Sequence, residues 1–527
     1  MTCHPLSPPP EATGRPRSRT AVTIAIALGL LLPVAPGLTG DAHAAPTERN
    51  IIFFITDDQG QDASFFGNDV IQLPHLDQLA ADGTVFLNAY ATTASCSASR
   101  SVVMSGLHNH KNGQFGHMHH FHGFSSFPDV AALALPRVLE NNGYRTARIG
   151  KYHVAPEAVY QFGEVIQGPP RNAVRMAESA REFITRDDDR PFFLYFATSD
   201  PHRGGGVDET SPHRPDLFGN LPERGHHPGV EEVFYDPADV IVPPFLPDNE
   251  VTRAELAQYY QSCSRIDQGL GRLIEILKEH DLYDRTLIVF TSDHGVAFPG
   301  AKTTVWEAGL RVPFVVRNPY ADRRGVRNQA LISHVDITPS LLDFAGALDH
   351  ETNGPANWVN PDDIWRGTLF QNENRSGGFN YRSYQGRSWV PIIELDDAEG
   401  WDVIHASHTF HEIQMYYPMR VLRDRDYKII WNIAHPLPYP FASDLWAAPT
   451  WQRQFARGRN APFGPRTVGE FIQRPEFELY DMREDPDETT NLALDERNAE
   501  LLERYKDKLR EFQREFNDHW ILKWEYE

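Results

Sequence analysis

NIIFFIT, residues 50–56, is a continuous apolar run that ends in two carboxylates, Asp57 and Asp58. A strand that is apolar at every position is typical of a parallel sheet covered by helices on both faces. Thr286 to Ser292 (TLIVFTS) has the same character and also ends in polar residues. We therefore predict that both runs are central strands of one sheet.

Two further runs end in the same way, Tyr144 to Ile149 (YRTARI) and Pro191 to Thr198 (PFFLYFAT). Segments with helical spacing, 177–186 and 255–278, alternate with the strands. This alternation predicts an α/β fold with a mostly parallel central sheet sandwiched by helices. The polar residues after the four runs are Asp57, Asp58, Lys151, His153, Asp200, His202, Arg203, Asp293 and His294. Because ligands of such sheets collect at the carboxyl ends of the strands, we expect these residues to share one site.

Asp57, Asp58 and Asp293 would repel one another unless a cation lay between them. Carboxylate oxygens favour Ca²⁺ or Mg²⁺, so the pattern indicates a metal site. An alternative is open for Asp293, which can equally cap a following helix. His294 can either ligate the ion or hydrogen-bond to a bound anion, and an imidazole ligand suits Mn²⁺ or Zn²⁺ better than Ca²⁺.

Cys96 lies in the string Cys96-Ser97-Ala98-Ser99-Arg100, and the chain has only three cysteines. Taken alone, the string is compatible with a buried or reactive thiol. The groups that can bind or protonate an anionic ester are Arg100, Lys151, His153, His202 and Lys302. A lone lysine such as Lys302 is usually solvated, so its position carries little information by itself.

The string from Cys96 to Arg100 resembles the C-x-[PA]-S-R signature of the sulfatase family, a branch of the alkaline phosphatase superfamily. The resemblance extends from about Asn50 to Ala493. It includes Asp57-Asp58, Gly150-Lys151, Ser292-Asp293-His294-Gly295, and the late motifs at residues 478–481 and 485–488. The strings at residues 150–157, 189–203, 235–249, 290–303 and 407–420 resemble the sulfamidase branch. An alkaline phosphatase-like fold is therefore expected.

The resemblance implies that a maturation enzyme oxidises Cys96 to Cα-formylglycine. The hydrated aldehyde has two hydroxyls: one attacks sulfur, and loss of a proton from the other expels sulfate. The resemblance also implies that Arg100 stabilises this hydrate. The divalent ion, expected to be Ca²⁺ with Mg²⁺ or Mn²⁺ as alternatives, would be bound by Asp57, Asp58, Asp293, His294 and an oxygen of the modified Cys96.

The remaining roles follow from the same resemblance. Lys151 and Lys302 would hold sulfate oxygens, His153 would accept the hydrate proton, and His202 would protonate the leaving group. The sugar would be faced by Asp200, Arg203, His411 and Glu412. The implied activity is removal of N-sulfate from terminal glucosamine of heparan-type glycans.

The sequence departs from the family pattern in places. Ala98 replaces the commoner proline, His294 stands where many relatives have asparagine, and Lys302 stands where some sulfamidases have arginine. Three alternatives therefore stay open: an O-sulfatase acting on another glycan or a small sulfate ester, a phosphodiester or phosphonate hydrolase, and a glycan-binding protein without catalysis if Cys96 is not oxidised.

Residues 1–44 are predicted to be a signal peptide, which implies export to a periplasm, the extracellular space or a lysosomal-type lumen. Arg15, Arg17 and Arg19 precede an apolar stretch from Ala21 to Ala35, and Ala42-His43-Ala44 fits a cleavage site. No membrane association is expected after cleavage. The net charge of -22 argues against nucleic acid as a partner, because the chain would repel a polyanion.

Two domains are predicted after the signal peptide, a catalytic domain over residues 45–417 and a smaller one over residues 418–527. The smaller one is expected to hold an antiparallel sheet, beginning with Met419 to Ile430, and a helix with an apolar stripe after residue 500. Cys263 is interpreted as a core residue. The six histidines between His108 and His122 fit no standard zinc motif, so a structural loop with one or two site residues is expected. A homodimer is compatible with the sequence.

Overall fold

The structure is a computed structural model that describes residues 49–118, 123–222, 225–368 and 381–526. The predicted signal peptide lies outside these residues. In the part of the chain that is described, no helix is both long enough and apolar enough to cross a membrane.

A central eight-stranded sheet has the order β4-β3-β5-β1-β6-β7-β2-β8. Its strands are β1 (Asn50–Thr56), β2 (Thr84–Tyr90), β3 (Arg145–Gly150), β4 (Glu164–Ile166), β5 (Phe192–Ala197), β6 (Thr286–Ser292), β7 (Phe314–Arg317) and β8 (Val326–Ser333). Neighbours pair in parallel except at β7, which is antiparallel to both β6 and β2. The four runs predicted from the sequence are β1, β3, β5 and β6, and they lie side by side. The predicted mostly parallel α/β sheet is confirmed.

The helices cover both faces of this sheet and fill the connections. They are α1 (Pro74–Ala81), α2 (Cys96–Ser105), α3 (Asn109–Asn112), α4 (Leu135–Asn141), α5 (Ala173–Ile184), α6 (Glu250–Glu279), α7 (Glu307–Leu310), α8 (Ile337–Phe344), α9 (Pro361–Ile364), α10 (Ser443–Ala447), α11 (Pro449–Phe455), α12 (Val468–Ile472), α13 (Ala499–Glu515) and α14 (Lys523–Tyr526). The predicted helical segments 177–186 and 255–278 correspond to α5 and α6.

The unbroken apolar sequence of β1 follows from burial on both faces. Ile52 and Phe54 belong to one core cluster, together with residues of α5 and α6. Ile51, Phe53 and Ile55 belong to a second cluster, together with residues of α4 and α8. Since successive side chains of a strand point to opposite faces, a strand covered on both sides needs an apolar residue at every position.

Helix α6 contains a buried thiol, Cys263, and a buried carboxyl group, Asp267. Cys263 is 1% exposed and lies in the core, as the sequence predicts. Asp267 accepts the backbone N–H groups of His75 (3.1 Å) and Leu76 (2.8 Å) at the start of α1. Burial raises the pKa of the Asp267 carboxyl to about 7.

The C-terminal part holds a four-stranded antiparallel sheet in the order β11-β12-β13-β16. Its strands are β11 (Val403–His408), β12 (Met419–Asp424), β13 (Tyr427–Asn432) and β16 (Phe477–Asp481). There are also two short hairpins among the described residues. One pairs β9 (Leu348–Asp349) with β10 (Gly354–Pro355), and the other pairs β14 (Pro462–Phe463) with β15 (Arg466–Thr467). The antiparallel sheet predicted to begin at residues 419–430 is confirmed, and these residues form the β12–β13 hairpin with a bend at Arg425 and Asp426. The sheet also includes β11, which precedes residue 418. The division of the chain into two domains at residue 418 stays a prediction.

Helix α13 packs its apolar stripe on this sheet. Tyr505 and Leu509 share a core cluster with residues of β12 and β13. Phe512 stacks on His405 of β11, with ring centroids 3.6 Å apart, and lies edge-on to His108 at 5.4 Å. The predicted helix is thus confirmed, and it holds the start of the histidine-rich loop against the C-terminal sheet.

Candidate active site

The ends of the neighbouring strands β3, β5, β1 and β6 are tied together by backbone hydrogen bonds. The N–H of Asp57 donates to the carbonyl of Asp200 (3.1 Å), and the N–H of Asp293 donates to the carbonyl of Thr56 (3.1 Å). The N–H of Lys151 donates to the carbonyl of Ala197 (2.8 Å). Strand register therefore brings the predicted polar clusters to one edge of the sheet.

Cys96 is the first residue of α2, and it is fully buried. Its Sγ lies 3.3 Å from His294 Nε2 and 3.6 Å from Asp58 Oδ1. Burial raises the pKa of the thiol well above its usual value. The positive end of the α2 dipole points at this position, which favours an anion there.

Four side chains around Cys96 bring possible ligand atoms together. Asp58, Cys96, Asp293 and His294 each offer an atom within 4.8 Å of the others, and all four are buried. Nδ1 of His294 lies 2.9 Å from the carbonyl of Gly295, which can only accept, so Nδ1 carries a proton and donates it. Nε2 lies 3.1 Å from Asp58 Oδ1 and is the ring nitrogen left to bind an ion. The two carboxylates, the imidazole nitrogen and the atom of residue 96 converge here, and this donor set fits a divalent ion.

Arg100 holds the carboxylates of this cluster in place from the side opposite solvent, since its side chain is fully buried. Its Nε donates to Asp293 Oδ2 (3.0 Å), and a terminal nitrogen donates to Asp57 Oδ1 (3.2 Å). Other donors bond the carbonyls of Thr56 and Lys151 and the hydroxyl of Tyr195. These contacts make Arg100 the anchor that joins three strand ends.

Asp57 contacts cations of the protein directly. Its Oδ2 lies 2.5 Å from Lys151 Nζ, and its other oxygen bonds Arg100. Burial disfavours its charge, but Lys151, His202 and Arg100 outweigh this and hold the pKa of Asp57 well below its usual value. Asp57 is not part of the four-residue ligand group, although we predicted it as a ligand.

Lys302 occupies a cage of acceptors on the other side of Asp58. Its Nζ lies 2.9 Å from Asp58 Oδ2, 2.8 Å from Asp444 Oδ2 and 2.9 Å from His202 Nε2. Burial disfavours the ammonium, but Asp444 and Asp58 outweigh it and hold the pKa of Lys302 well above its usual value. Nδ1 of His202 lies 2.6 Å from the carbonyl of Arg203 and must donate to it, which leaves Nε2 of His202 for proton exchange.

Three histidines lie together beside Cys96. The ring of His117 is 3.7 Å from that of His411 and 4.8 Å from that of His153, measured between centroids. His411 Nδ1 is bonded to Ser95 Oγ at 3.0 Å, directly before Cys96. Burial lowers the pKa of His117 and of His411 well below the usual value, so both rings are neutral. Of the histidine-rich loop, His117 thus reaches the site, whereas His119, His120 and His122 lie outside the described residues.

Backbone conformation at the site is unusual at several positions. Asp58 (φ 65°), His153 (φ 53°) and Thr303 (φ 64°) adopt left-handed conformations although none is glycine. Such conformations cost about 1–3 kcal/mol each and concentrate at functional sites. Gly150 has φ 83°, and a Cβ there would lie 2.0 Å from the carbonyl oxygen of Ala197. Only glycine therefore allows β3 to end beside β5 and to present Lys151.

A cavity of about 690 Å³ opens over these residues. Asp57, Lys151, His153 and His202 line it, together with Arg171 and Met118. Arg171 donates to Asp200 Oδ1 (2.7 Å) and to the carbonyl of His202 (3.0 Å). Its guanidinium therefore both faces the cavity and fixes the turn that carries His202.

Of the four residues that we expected to face the sugar, Asp200 and Arg203 are buried in ion pairs. Asp200 is 1% exposed and pairs with Arg171 and Arg265. Arg203 is 3% exposed and pairs with Glu255 at 2.5 Å. Residues so close to the strand ends are enclosed by the helices that cover the sheet, and these two brace the His202 turn.

The other two, His411 and Glu412, lie on the segment after β11. His411 is buried against Ser95 and His117, and Glu412 is half-buried and accepts from Ser443 Oγ (2.9 Å). The sequence reasoning missed Asp444, Arg171 and His117. Arg171 follows Pro169-Pro170 and Asp444 lies in the short helix α10, so neither has a strand-end signal, and His117 was hidden among neighbouring histidines.

The fold and the site define a hydrolase of anionic esters, and the comparisons with known proteins narrow this class. The sulfatase family model matches residues 49–347. N-sulphoglucosamine sulphohydrolase of Homo sapiens is 35% identical over 485 residues, which cover 90% of this chain and 91% of that protein. An ulvan-active sulfatase of Formosa agariphila is 28% identical, covering 86% of this chain and 77% of its own.

A solved structure shares the fold. BT4656, solved in complex with D-glucosamine-2-N,6-O-disulfate, superposes with a TM-score of 0.58 at 20% identity, covering 89% of this chain and 98% of its own. The chain belongs to the sulfatase family. It is accordingly an enzyme of the class that hydrolyses sulfate esters or sulfamates.

Proposed function

We propose that the protein is an exported, formylglycine-dependent sulfatase that removes N-sulfate from terminal glucosamine of heparan-type glycans. The observation that carries this proposal is the arrangement around Cys96. The ligand group for a divalent ion includes Cys96, and both Lys302 and His202 adjoin this group at Asp58. The relative named N-sulphoglucosamine sulphohydrolase supports the choice of an N-sulfated sugar.

The divalent ion would be held by Asp58, Asp293 and His294, with the modified Cys96 beside them. Asp57 lies beside this group and forms ion pairs with Arg100 and Lys151. Ca²⁺ is the proposed ion because carboxylate oxygens dominate the donor set, with Mg²⁺ or Mn²⁺ as alternatives. When bound, the ion supplies positive charge that offsets the buried carboxylates and attracts the sulfate.

Formylglycine at position 96 supplies, as its hydrate, the nucleophile and a route for releasing sulfate. The residues of the chain orient the substrate for this step. Lys151 faces the cavity, and Lys302 lies on the far side of Asp58, so the two ammonium groups can hold different sulfate oxygens. His153 lines the same cavity, and we assign it to accept the proton of the second hydroxyl.

His202 is assigned to protonate the leaving nitrogen. Its Nδ1–H is fixed on the carbonyl of Arg203, and Nε2 lies 2.9 Å from Lys302 Nζ. An amide anion is far too basic to leave, so cleavage of an S–N bond requires a proton donor at the nitrogen. The cavity provides room for one sugar ring above this group.

A desulfation panel tests the substrate. The purified protein is assayed on N-sulfoglucosamine, glucosamine 6-O-sulfate, chondroitin disaccharide sulfates, 4-nitrophenyl sulfate and a phosphonate monoester, with Cys96→Ala protein as a blank for contaminating enzymes. We expect the highest kcat/KM on N-sulfoglucosamine. Strong O-desulfation without sulfate release from N-sulfoglucosamine would replace the proposal with an O-sulfatase.

Maturation and export have their own tests. Mass spectrometry of the peptide that contains Cys96 should find a species lighter than the cysteine form that reacts with a hydrazide. Terminal sequencing of protein recovered outside the cytoplasm should begin near Ala45. Fully active enzyme with unmodified Cys96, or protein that keeps residues 1–44, would contradict the corresponding part of the proposal.

A further inference from the structure

Asp444 places a carboxylate beside the groups assigned to sulfate binding and to protonation. It lies in the first turn of α10, far in sequence from the strand ends. Its Oδ2 is 2.8 Å from Lys302 Nζ and 3.8 Å from His202 Nε2. Asp58, His202 and Asp444 each offer an atom within 4.8 Å of the others. Asp444 thus adjoins both Lys302, which is assigned to bind sulfate, and His202, which is assigned to protonate the leaving group.

A negative charge in this place is costly for an enzyme that binds an anion. Two carboxylates, Asp58 and Asp444, flank the single ammonium of Lys302. Asp58 is also shared with the ligand group around Cys96, where a cation offsets its charge. Asp444 pairs with Lys302, and with His202 when that ring is protonated. Its side chain is 22% exposed, so a positive group of the substrate can approach it.

We propose that Asp444 selects a nitrogen leaving group by stabilising the positive charge that the nitrogen acquires during cleavage. This inference rests on the proposed function, because it takes His202 as the proton donor. A sulfamate nitrogen that receives a proton becomes cationic while it is still bonded to sulfur. A carboxylate within about 4 Å of the donor atom favours that cation by direct electrostatic attraction.

The proton and electron balance of the step is simple. Nε2 of protonated His202 gives its proton to the nitrogen of R–NH–SO₃⁻, the S–N bond breaks, and its electron pair passes to the nitrogen. The sulfonyl group passes to the attacking hydroxyl oxygen, whose proton is released to solvent as the O–S bond forms. The sugar leaves as the neutral amine R–NH₂. This amine then takes a proton from water to become R–NH₃⁺, which Asp444 can still bind.

The same charge would not help an oxygen leaving group. An aryl oxide leaves as an anion, which a nearby carboxylate repels. The bridging oxygen of a sugar sulfate is far less basic than a sulfamate nitrogen, so it gains little positive charge before the S–O bond breaks. Asp444 therefore favours N-sulfate over O-sulfate by a difference in transition-state stabilisation, which is what determines specificity. The residue is assigned to specificity, and the nucleophile and the ion do not depend on it.

The test compares Asp444→Asn with Asp424→Asn, a matched control in the C-terminal sheet. Asp424 pairs with Lys508 at 2.7 Å and is 18% exposed, against 2.8 Å and 22% for the pair of Asp444 with Lys302. Asp444→Asn should lower kcat/KM on N-sulfoglucosamine by about 10²-fold. On 4-nitrophenyl sulfate it should have no effect or raise the rate. The control should leave both values within about twofold of wild type.

Product binding provides a readout that does not depend on turnover. Wild-type protein should bind glucosamine, which is cationic, about tenfold more tightly than neutral N-acetylglucosamine, and Asp444→Asn should abolish this preference. Equal losses on the N-sulfate and the aryl sulfate, with the preference for glucosamine intact, would overturn the inference and leave Asp444 as a support for Lys302. Wild-type protein that releases no sulfate from N-sulfoglucosamine would instead contradict the proposed function.

Discussion

Two regions of the chain meet around Cys96 and Lys302, and they are built differently. The strand-end group (Asp57, Asp58, Lys151, Asp293 and His294) is positioned by the hydrogen-bonded register of adjacent parallel strands. The C-terminal group (His411, Glu412 and Asp444) reaches the same place from a loop and a five-residue helix. The strand-end group surrounds the position of the nucleophile. In the C-terminal group, His411 contacts Ser95, directly before the nucleophile, and Asp444 contacts Lys302 and His202. We therefore expect substitutions in the strand-end group to change the turnover of all substrates, and substitutions in the C-terminal group to change the preference between substrates.

The largest effect is expected at the nucleophile. Cys96→Ser should abolish turnover of every sulfate ester and sulfamate, since serine offers no second hydroxyl for releasing sulfate. The measurement is sulfate release under single- and multiple-turnover conditions. Cys263→Ser is the control, because Cys263 is equally buried but lies in the core cluster of α6. Loss of activity in the control, or retention of it in Cys96→Ser, would contradict the assignment.

A somewhat smaller loss is expected in the ligand group. Asp293→Asn should reduce both metal content and kcat, the latter by about 10²–10³-fold on N- and O-sulfates alike, because the charge balance around Arg100 and the ion is broken. Metal is measured by elemental analysis, with about one ion per chain expected in the wild type. Full activity after exhaustive chelation would argue strongly against the metal site.

Substitution of the general acid, His202, should affect the turnover of N-sulfates and of aryl sulfates differently. His202→Ala should lower kcat/KM on N-sulfoglucosamine by about 10²–10⁴-fold. Its effect on an activated aryl sulfate should be much smaller, since that leaving group needs little protonation. A rate series on aryl sulfates of increasing leaving-group pKa should show a steeper dependence in the variant. Equal losses on both substrates would remove His202 from this role.

Arg203 tests whether a strand-end residue can be purely structural. Because its ion pair with Glu255 is almost fully buried, Arg203→Met leaves an uncompensated carboxylate and should cost about 3–5 kcal/mol of unfolding free energy. KM for the sugar should change little at temperatures where the variant is folded. Denaturant unfolding and steady-state kinetics measure the two effects. A large rise in KM with unchanged stability would return Arg203 to the sugar-binding set.

The smallest effect concerns the pH dependence of stability. Asp267 has a folded pKa of about 7, above the usual value of 3.8, because burial disfavours its charge. Its contribution to stability is therefore fully present below pH 3.8 and is lost as the pH rises through about 7. Asp267→Asn should flatten this part of the profile, as measured by urea unfolding at a series of pH values. An unchanged slope between pH 4 and 7 would contradict the raised pKa.

The central sheet and the strand-end group could be predicted because local sequence determines them. The apolar runs of β1 and β6 specify strands buried on both faces, and the residues after them share an edge in any parallel sheet. Asp444 could not be predicted, since its position depends on how the chain after β13 returns over the site. Asp200 and Arg203 were placed at the correct strand end, but the sequence does not reveal which side chains there turn away from the cavity.

The burial of both thiols has a practical consequence. In protein that has not been matured, Cys96 and Cys263 are the free cysteines of the described residues, at 0% and 1% exposure. Neither can be alkylated until the chain around it opens, so the labelling rate of each sulfur reports an opening free energy. Cys96 lies at the edge of the sheet and Cys263 in the middle of a thirty-residue helix. Comparing the two rates therefore measures how much more easily the catalytic edge opens than the core does.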